Sequence, residues 1–190
     1  PNGGDGGFIE TSGNNVQVQR GAVVTAFAPE GTTGTWSIDP TDFTIVAGKA
    51  AQTASGIGAK TLQKNLKLAN TTIETYTTAA DGNTEDGNIN VNAALTWSQN
   101  TLALEALGDV NINAVMTVSD TAALDMKAGF NGSTYDGIGT VRTGFNAAGT
   151  FAGRVDFFNA DGTPRSGDGF LSINGNGYTV INDIDALQNM

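Results

Sequence analysis

The short segment Asp39-Pro40-Thr41-Asp42 places two carboxyl groups three residues apart. Such a pair could act as a general acid and base, or it could bind a hard cation through its oxygens. Asp and Pro also build turns, because an Asp side chain bonds to nearby backbone groups and Pro fixes φ. We favour this second interpretation, in which Asp39 and Asp42 cap turns on either side of Pro40.

Residues 81–87, with the sequence DGNTEDG, have the acidic and glycine-interrupted composition of a calcium-binding loop. They lack the Asp-x-Asp-x-Asp-Gly spacing of an EF-hand and the nonapeptide repeats of calcium-binding β-rolls. We therefore favour a solvated turn at this segment, and we predict neither a metal site nor a cofactor for the chain.

Enzymes that cleave polysaccharides use clustered acidic and basic side chains on one face of the protein. Asp109, Asp125, Arg142 and Arg154 could form such a group on a groove, but nothing in their spacing requires it. We predict no catalytic residue and no enzymatic activity.

Two tryptophans and one glycine pair complete the residues that could contact a ligand. Trp36 and Trp97 could stack on sugars, but each lies within an apolar strand pattern, which indicates the core or the edge of a coil. Gly137-Ile138-Gly139 is not a nucleotide-binding loop, because no strand-to-helix context surrounds it.

The composition excludes several function classes. The chain has no cysteine and no histidine, which removes thiolate nucleophiles, the usual general base and the commonest zinc ligand. Nineteen acidic residues against nine basic ones give a net charge of -10, which disfavours nucleic acid and anionic lipid as partners. No apolar run is long enough to span a membrane, and the first residues do not resemble a signal peptide. We expect an interior piece of a longer chain.

The first 48 residues alternate short apolar runs with Gly, Asn and Pro, which predicts short strands. The predicted strands contain Phe8-Ile9, Val16-x-Val18, Val23-Val24, Trp36-x-Ile38 and Phe43-x-Ile45-Val46.

Three further segments carry local signals. Residues 57–69 fit a loop or short helix leading into a strand, although Leu66-Lys67-Leu68 also fits a strand. Residues 170–181 predict two strands around an Asn-Gly turn. Residues 183–188 resemble the capped start of a helix.

The segment that follows residue 81 is repetitive. The sequence GNINVNAAL at residues 87–95 recurs 21 positions later as GDVNINAVM at residues 108–116. A second pair, TLALEA at residues 101–106 and ALDMKA at residues 123–128, recurs after 22 positions. Two motifs that share one period are typical of repeat architectures.

A period of about 21 residues with two or three short strands fits one coil of a parallel β-solenoid, whose coils stack about 4.8 Å apart. Alternation points Ile89 and Val91 inward and places Val110 and Ile112 directly over them. The outward Asn residues form either solvated, inert faces or ladders of amide hydrogen bonds, and we favour the inert faces. We predict coils at residues 1–128, an irregular Gly- and Phe-rich extension or loop at 129–169, and a further segment starting at 170–190.

Several motifs resemble those of large bacterial two-partner-secretion exoproteins, the filamentous-haemagglutinin-like adhesins. The matching motifs are GFIETSG at residues 7–13 and GTWSIDPTDFTI at 34–45, the repeats at 87–128, and LSINGNGYTVI at 171–181. The stretch from residue 129 to 169 departs from the family pattern.

The resemblance implies an all-β fold, a right-handed parallel β-helix, exported through an outer-membrane partner and secreted or displayed on the bacterial cell surface. It implies a structural and adhesive role in attachment, aggregation or biofilm formation, with glycans or proteins of host or neighbouring cells as partners. A carbohydrate-active β-helix and a self-assembling extracellular fibre subunit are the alternatives, the latter because the open ends of a solenoid could pair with another copy.

Overall fold

A computed structural model describes residues 3–48, 54–76, 86–135, 138–145 and 150–189. Within these ranges the chain forms sixteen strands and two short helices. Up to the first repeat, the elements are β1 (Phe8–Ser12), β2 (Gln17–Val18), β3 (Thr35–Asp39), β4 (Phe43–Val46), β5 (Gly56–Gly58), α1 (Ala59–Asn65) and β6 (Asn70–Thr75). The repeats hold β7 (Ile89–Val91), β8 (Leu95–Trp97), β9 (Thr101–Ala106), β10 (Val110–Ile112), β11 (Val115–Ser119) and β12 (Ala123–Ala128). The last part holds β13 (Val141–Phe145), β14 (Phe151–Phe158), β15 (Leu171–Ile173), β16 (Asn176–Gly177) and α2 (Ile184–Gln188).

The strands form two large sheets. One has the order β1-β3-β6-β9-β12-β15-β16, and the other has the order β2-β5-β4-β7-β10-β13-β14-β11-β8. Neighbouring strands are parallel except in the β13–β14 and β15–β16 pairs, which are antiparallel. The structure therefore confirms the all-β prediction, with sheets that are mostly parallel.

The two sequence repeats pair with each other in register. Ile89 lies opposite Val110 and Val91 lies opposite Ile112, as the period predicted. The second motif follows the same rule, with Leu102 opposite Leu124. Each strand of β7, β8 and β9 is thus the neighbour of its repeat in β10, β11 and β12.

The core consists of the inward side chains of these stacked strands. In β7 and β10 the outer residues are buried and the central Asn is partly exposed, which is the alternation that a half-buried strand requires. A single cluster of buried apolar side chains runs from Val16 to Phe170. Because aliphatic side chains of successive layers lie over one another, each layer buries the next.

Helix α1 covers the edge of the sheet beside β8. The helix contacts both β5 and β8, and its Leu62 side chain is fully buried. Asn100, which follows β8, donates from its side chain to the carbonyl of Leu66 at 2.7 Å. Of the alternatives predicted for residues 57–69, the short helix followed by a strand is the one observed. A covered edge strand cannot pair with another chain.

The predicted strand at Val23-Val24 is wrong. No strand forms there, because the buried side chain of Asn65 takes the hydrogen bonds that a neighbouring strand would make. Asn65 Oδ1 accepts from the backbone N–H of Val24 at 2.7 Å, and Nδ2 donates to the carbonyl of Ala22 at 3.0 Å.

The range 129–169 contains two strands that join the nine-stranded sheet. Strand β13 pairs in parallel with β10, and β14 pairs in parallel with β11. The same two strands pair with each other in an antiparallel hairpin near Gly144. This range was predicted as an irregular extension or loop. The sequence did not indicate that its strands continue the sheets.

The structure of residues 170–189 agrees with the hairpin and the helix start that the local sequence predicted. Strands β15 and β16 flank Asn174 and Gly175, and both turn residues have positive φ, as an Asn-Gly hairpin turn requires. Strand β16 is only two residues long, shorter than predicted. The side chain of Asp183 accepts from the N–H of Ala186 and caps α2, which confirms the predicted helix start.

Ile89→Ala should lower the free energy of unfolding by about 2–5 kcal/mol, because it removes a fully buried side chain from the centre of the stack. Ile138→Ala is the matched control, since the Ile138 side chain is 83% exposed, and it should change stability by less than about 0.5 kcal/mol. Urea denaturation of both variants measures the difference. Equal losses would contradict the stacking.

Asn65→Leu should lower the free energy of unfolding by about 1–3 kcal/mol, because it removes the amide partner of the buried Thr61 carbonyl and of the half-buried backbone groups of Ala22 and Val24. Asn15→Leu, at an exposed position, serves as the control and should have little effect. The two variants are compared by thermal unfolding. An unchanged transition for the Asn65 variant would show that the amide bonds are dispensable.

Candidate functional site

The outer faces of the two sheets carry columns of polar side chains, and these columns are the candidate functional surfaces. A column forms because equivalent residues of parallel strands lie side by side, about 4.8 Å apart. One column contains amides, one contains carboxylates, and a third region is a shallow groove rich in hydroxyls.

The amide column lies on β7 and β10 of the nine-stranded sheet. Asn111 Nδ2 donates to Asn90 Oδ1 at 3.0 Å, and Asn113 Nδ2 donates to Asn92 Oδ1 at 2.7 Å. The Asn residues therefore form hydrogen-bonded ladders, and the preference for inert, solvated faces was wrong. The signal was present in the repeat, because identical polar residues one period apart must meet.

The acidic column lies on the seven-stranded sheet. Register places Ser12 beside Asp39, and it places Glu74, Glu105 and Lys127 on successive strands. Asp39 is one residue beyond the registered pair Ile38 and Ile73, which puts it beside Glu74. We call Asp39, Glu74 and Glu105 the acidic column.

Glu105 is the best-neutralised member of the acidic column. It accepts hydrogen bonds from the Tyr76 hydroxyl and from Lys127 Nζ, the latter at 2.9 Å. Burial lowers the pKa of Lys127, but the bond and charge of Glu105 outweigh it and leave that pKa raised. The ammonium group also lies 4.7 Å from the centre of the Phe130 ring, which is within the range of a cation–π contact.

Asp39 has a different environment. Desolvation by burial and, to a smaller extent, the charges of Glu74 and Glu10 together raise the pKa of its carboxyl group from 3.8 to about 6. The backbone N–H of Tyr76 bonds to the carboxylate and acts in the opposite direction. Oxygen Oδ1 is buried and has no hydrogen-bond partner among the described residues.

Asp42 lies on the turn that follows β3. Its Oδ1 accepts from the backbone N–H of Asn88 at 2.6 Å. The hydrogen bonds of Asp39 and Asp42 thus run to neighbouring layers of the fold, which the turn-cap interpretation did not anticipate.

Asp109, which precedes β10, and Arg142 on the neighbouring strand β13 form an ion pair, with Arg142 Nε 2.8 Å from Asp109 Oδ2. Burial raises the pKa of Asp109, but hydrogen bonds from Thr140 and Arg142 outweigh it and lower that pKa overall. Of the four residues considered for glycan cleavage, these two lie together.

The other two lie elsewhere. Asp125 is on β12 of the seven-stranded sheet, where it accepts from the Ser172 hydroxyl and lies 3.9 Å from Lys127. Arg154 is on β14 and pairs with Asp156 at 3.0 Å. The structure therefore does not bring the four residues to one groove.

Both tryptophans are in the core, as predicted. Trp36 is 1% exposed and Trp97 is 4% exposed, so neither presents a ring to a sugar. Trp36 donates from Nε1 to the Thr11 hydroxyl at 3.1 Å. The indole N–H of Trp97 has no hydrogen-bond partner within the described residues, and we have no physical account of it.

A shallow groove of about 550 Å³ lies where β8, β11 and β14 end. Ser98, Thr117, Ser119, Asp120 and Phe158 line it. The repeat did not indicate this groove, because Phe158 belongs to β14, which lies outside the repeated segments.

Part of the segments that were considered as ligand-binding lies outside the described residues. Residues 81–85 of the calcium-like segment and Gly137 lie outside the described residues. In the ranges that are described, no three acidic or other metal-binding side chains converge on a common point. Neither of the two helices seen there has the length and apolar character needed to cross a bilayer.

Comparison of the chain with protein-family models, with curated proteins and with solved structures finds no match. The resemblance to filamentous-haemagglutinin-like adhesins therefore stays a prediction.

The Asn90–Asn111 rung should contribute about 0.5–1.5 kcal/mol of coupling energy in a double-mutant cycle of Asn90→Ala and Asn111→Ala, because both are partly buried and directly bonded. The control cycle combines Asn90→Ala with Asn176→Ala, a residue of β16 in the other sheet, and should be additive. Guanidinium denaturation supplies the four free energies of each cycle. Additivity in the first cycle would contradict the ladder.

Proposed function

We propose that the chain is a structural and adhesive segment of a secreted bacterial cell-surface exoprotein of the filamentous-haemagglutinin-like, two-partner-secretion type. In this proposal its sheets are the walls of a right-handed parallel β-helix with coils of about 21 residues. The segment works as a stiff rod whose outer faces bind glycans or proteins of host or neighbouring cells.

The observation that carries the proposal is the in-register pairing of successive repeats, with Ile89 opposite Val110, Leu95 opposite Met116 and Leu102 opposite Leu124. Within the repeats at residues 87–128 the chain returns to a neighbouring strand in register after 21 or 22 residues, which is the behaviour of a coil. Six mutually parallel strands of the seven-stranded sheet would stack over roughly 24 Å at about 4.8 Å each. Such a stack is stiff because every layer is hydrogen-bonded to the next.

A surface role fits the polar side chains better than a catalytic one does. Asp109 and Arg142 are engaged with each other, while Asp125 and Arg154 are engaged with other partners. The exposed columns and the shallow groove offer broad, open contacts of the kind that adhesion uses. Secretion through an outer-membrane partner comes from the motif resemblance alone.

Adhesion is tested with beads that carry the purified chain, applied to epithelial and bacterial cells. We expect the beads to bind cells and beads carrying the Ile89→Asp variant, whose core is disrupted, to bind weakly. The same samples are incubated with a polysaccharide panel and assayed for reducing sugars. Bound cells without sugar release support the proposal, whereas turnover of any polysaccharide would replace it with the carbohydrate-active alternative.

Three measurements test the architecture, the location and the oligomeric state. An experimental structure with a left-handed or open winding from β7 through β8 to β9 would contradict the β-helix. Protease treatment of intact producing cells should cleave the chain if it is displayed outside. Sedimentation over a concentration series separates a monomeric rod from a self-assembling fibre subunit, because only the latter grows with concentration.

A further inference from the structure

We infer that Asp39, with the charges of Glu74 and Glu10 beside it, makes the pairing of β1, β3 and β6 pH-dependent: a proton on Asp39 stabilises the three strands in mildly acidic solution, and its loss destabilises them near neutral pH. This inference concerns the stability of the sheet and does not depend on the proposed adhesive function.

The geometry places three carboxyl groups on three adjacent strands of the sheet. Glu10 is on β1, Asp39 is the last residue of β3, and Glu74 is on β6. Glu10 accepts from Ser12 and Glu74 accepts from Ser37, so both neighbours of Asp39 already have a hydroxyl donor. Asp39 Oδ1 has none among the described residues. A proton on Asp39 would convert this unpaired acceptor into a hydrogen-bond donor.

The other charged and titratable groups around Asp39 do not neutralise it. From β6, the Tyr76 backbone supplies one hydrogen bond, and the Tyr76 hydroxyl is committed to Glu105 on β9. On the turn after β3, Asp42 is a further acid, bonded to the Asn88 backbone. Lys127, the cation on this face among the described strands, lies on β12, three strands from Asp39, and is paired with Glu105.

Lys127 is too far from Asp39 to neutralise its carboxylate in place of a proton. Three strand spacings amount to roughly 14 Å, which exceeds the screening length of about 8 Å at physiological salt. Among the described residues, no cation therefore compensates the repulsion between the three carboxylates at neutral pH. Strand β1 is most affected, because within the described residues it pairs only with β3.

The direction of the pH effect follows from the raised pKa of Asp39, about 6 against 3.8 for the ordinary group. Between these values the folded chain holds a proton that the unfolded chain has lost, so stability falls as pH rises through this window. It is highest below about pH 4 and lowest above about pH 6. The full difference between the two pKa values would change the equilibrium constant of unfolding by about a hundredfold. Because Asp39 is partly exposed, solvent screening reduces this change to about tenfold.

The direct test is a carbon-13 NMR titration of the Asp39 carboxyl group in the full chain. We expect a midpoint near pH 6, which moves lower in Glu74→Gln and in Glu10→Gln because each substitution removes one repelling charge. A midpoint below about 4.5 in the unsubstituted chain would overturn the inference. So would a midpoint that neither substitution moves.

The effect on the strands is measured by hydrogen exchange of β1 and β3 amides at pH 5 and pH 7.5, corrected for intrinsic rates. Opening should be about tenfold more frequent at pH 7.5 in the unsubstituted chain, and Asp39→Asn should remove that difference. Asp120→Asn is the matched control, because Asp120 is exposed in the turn after β11 and should leave the difference intact. If Asp39→Asn does not fold, Glu74→Gln, which should reduce the difference, replaces it. A pH dependence that persists in a folded Asp39→Asn variant would contradict the inference.

Discussion

The fold depends on in-register parallel pairing between segments that repeat along the chain. A parallel ladder puts equivalent residues side by side, so an inward aliphatic in one layer meets an inward aliphatic in the next. Ile89 over Val110 and Leu104 over Met126 are examples. A slip of one residue would turn every buried side chain outward, and the register is therefore specified by burial as well as by hydrogen bonds.

The same register determines which side chains meet on the outer faces. It stabilises stacked amides and destabilises stacked carboxylates. An amide carries both a donor and an acceptor, so Asn90 and Asn111 bond to each other when stacked. A carboxylate has only acceptors and a negative charge, so stacked acids need another partner. Lys127 supplies it for Glu105, and no described cation supplies it for Asp39.

Irregular elements protect the places where the ladder stops. Helix α1 lies against β8, and the hairpin of β15 and β16 ends the seven-stranded sheet. The buried amide of Asn65 holds a segment of irregular backbone that would otherwise leave polar groups unpaired in the interior. These elements interrupt the repeat, and they break the sequence period where they occur.

The sequence by itself determined the repeat and what depends on local spacing. Alternation and the period of about 21 residues were enough to predict the pairing of Ile89 with Val110, and local turn chemistry predicted the hairpin at Asn174 and the cap at Asp183. Only the tertiary structure decided the acidic column, the role of Asn65 and the entry of β13 and β14 into a sheet. Their members are separated by unequal stretches of chain, so no periodic signal connects them. Their contacts exist only because the regular strands fix the distances between layers.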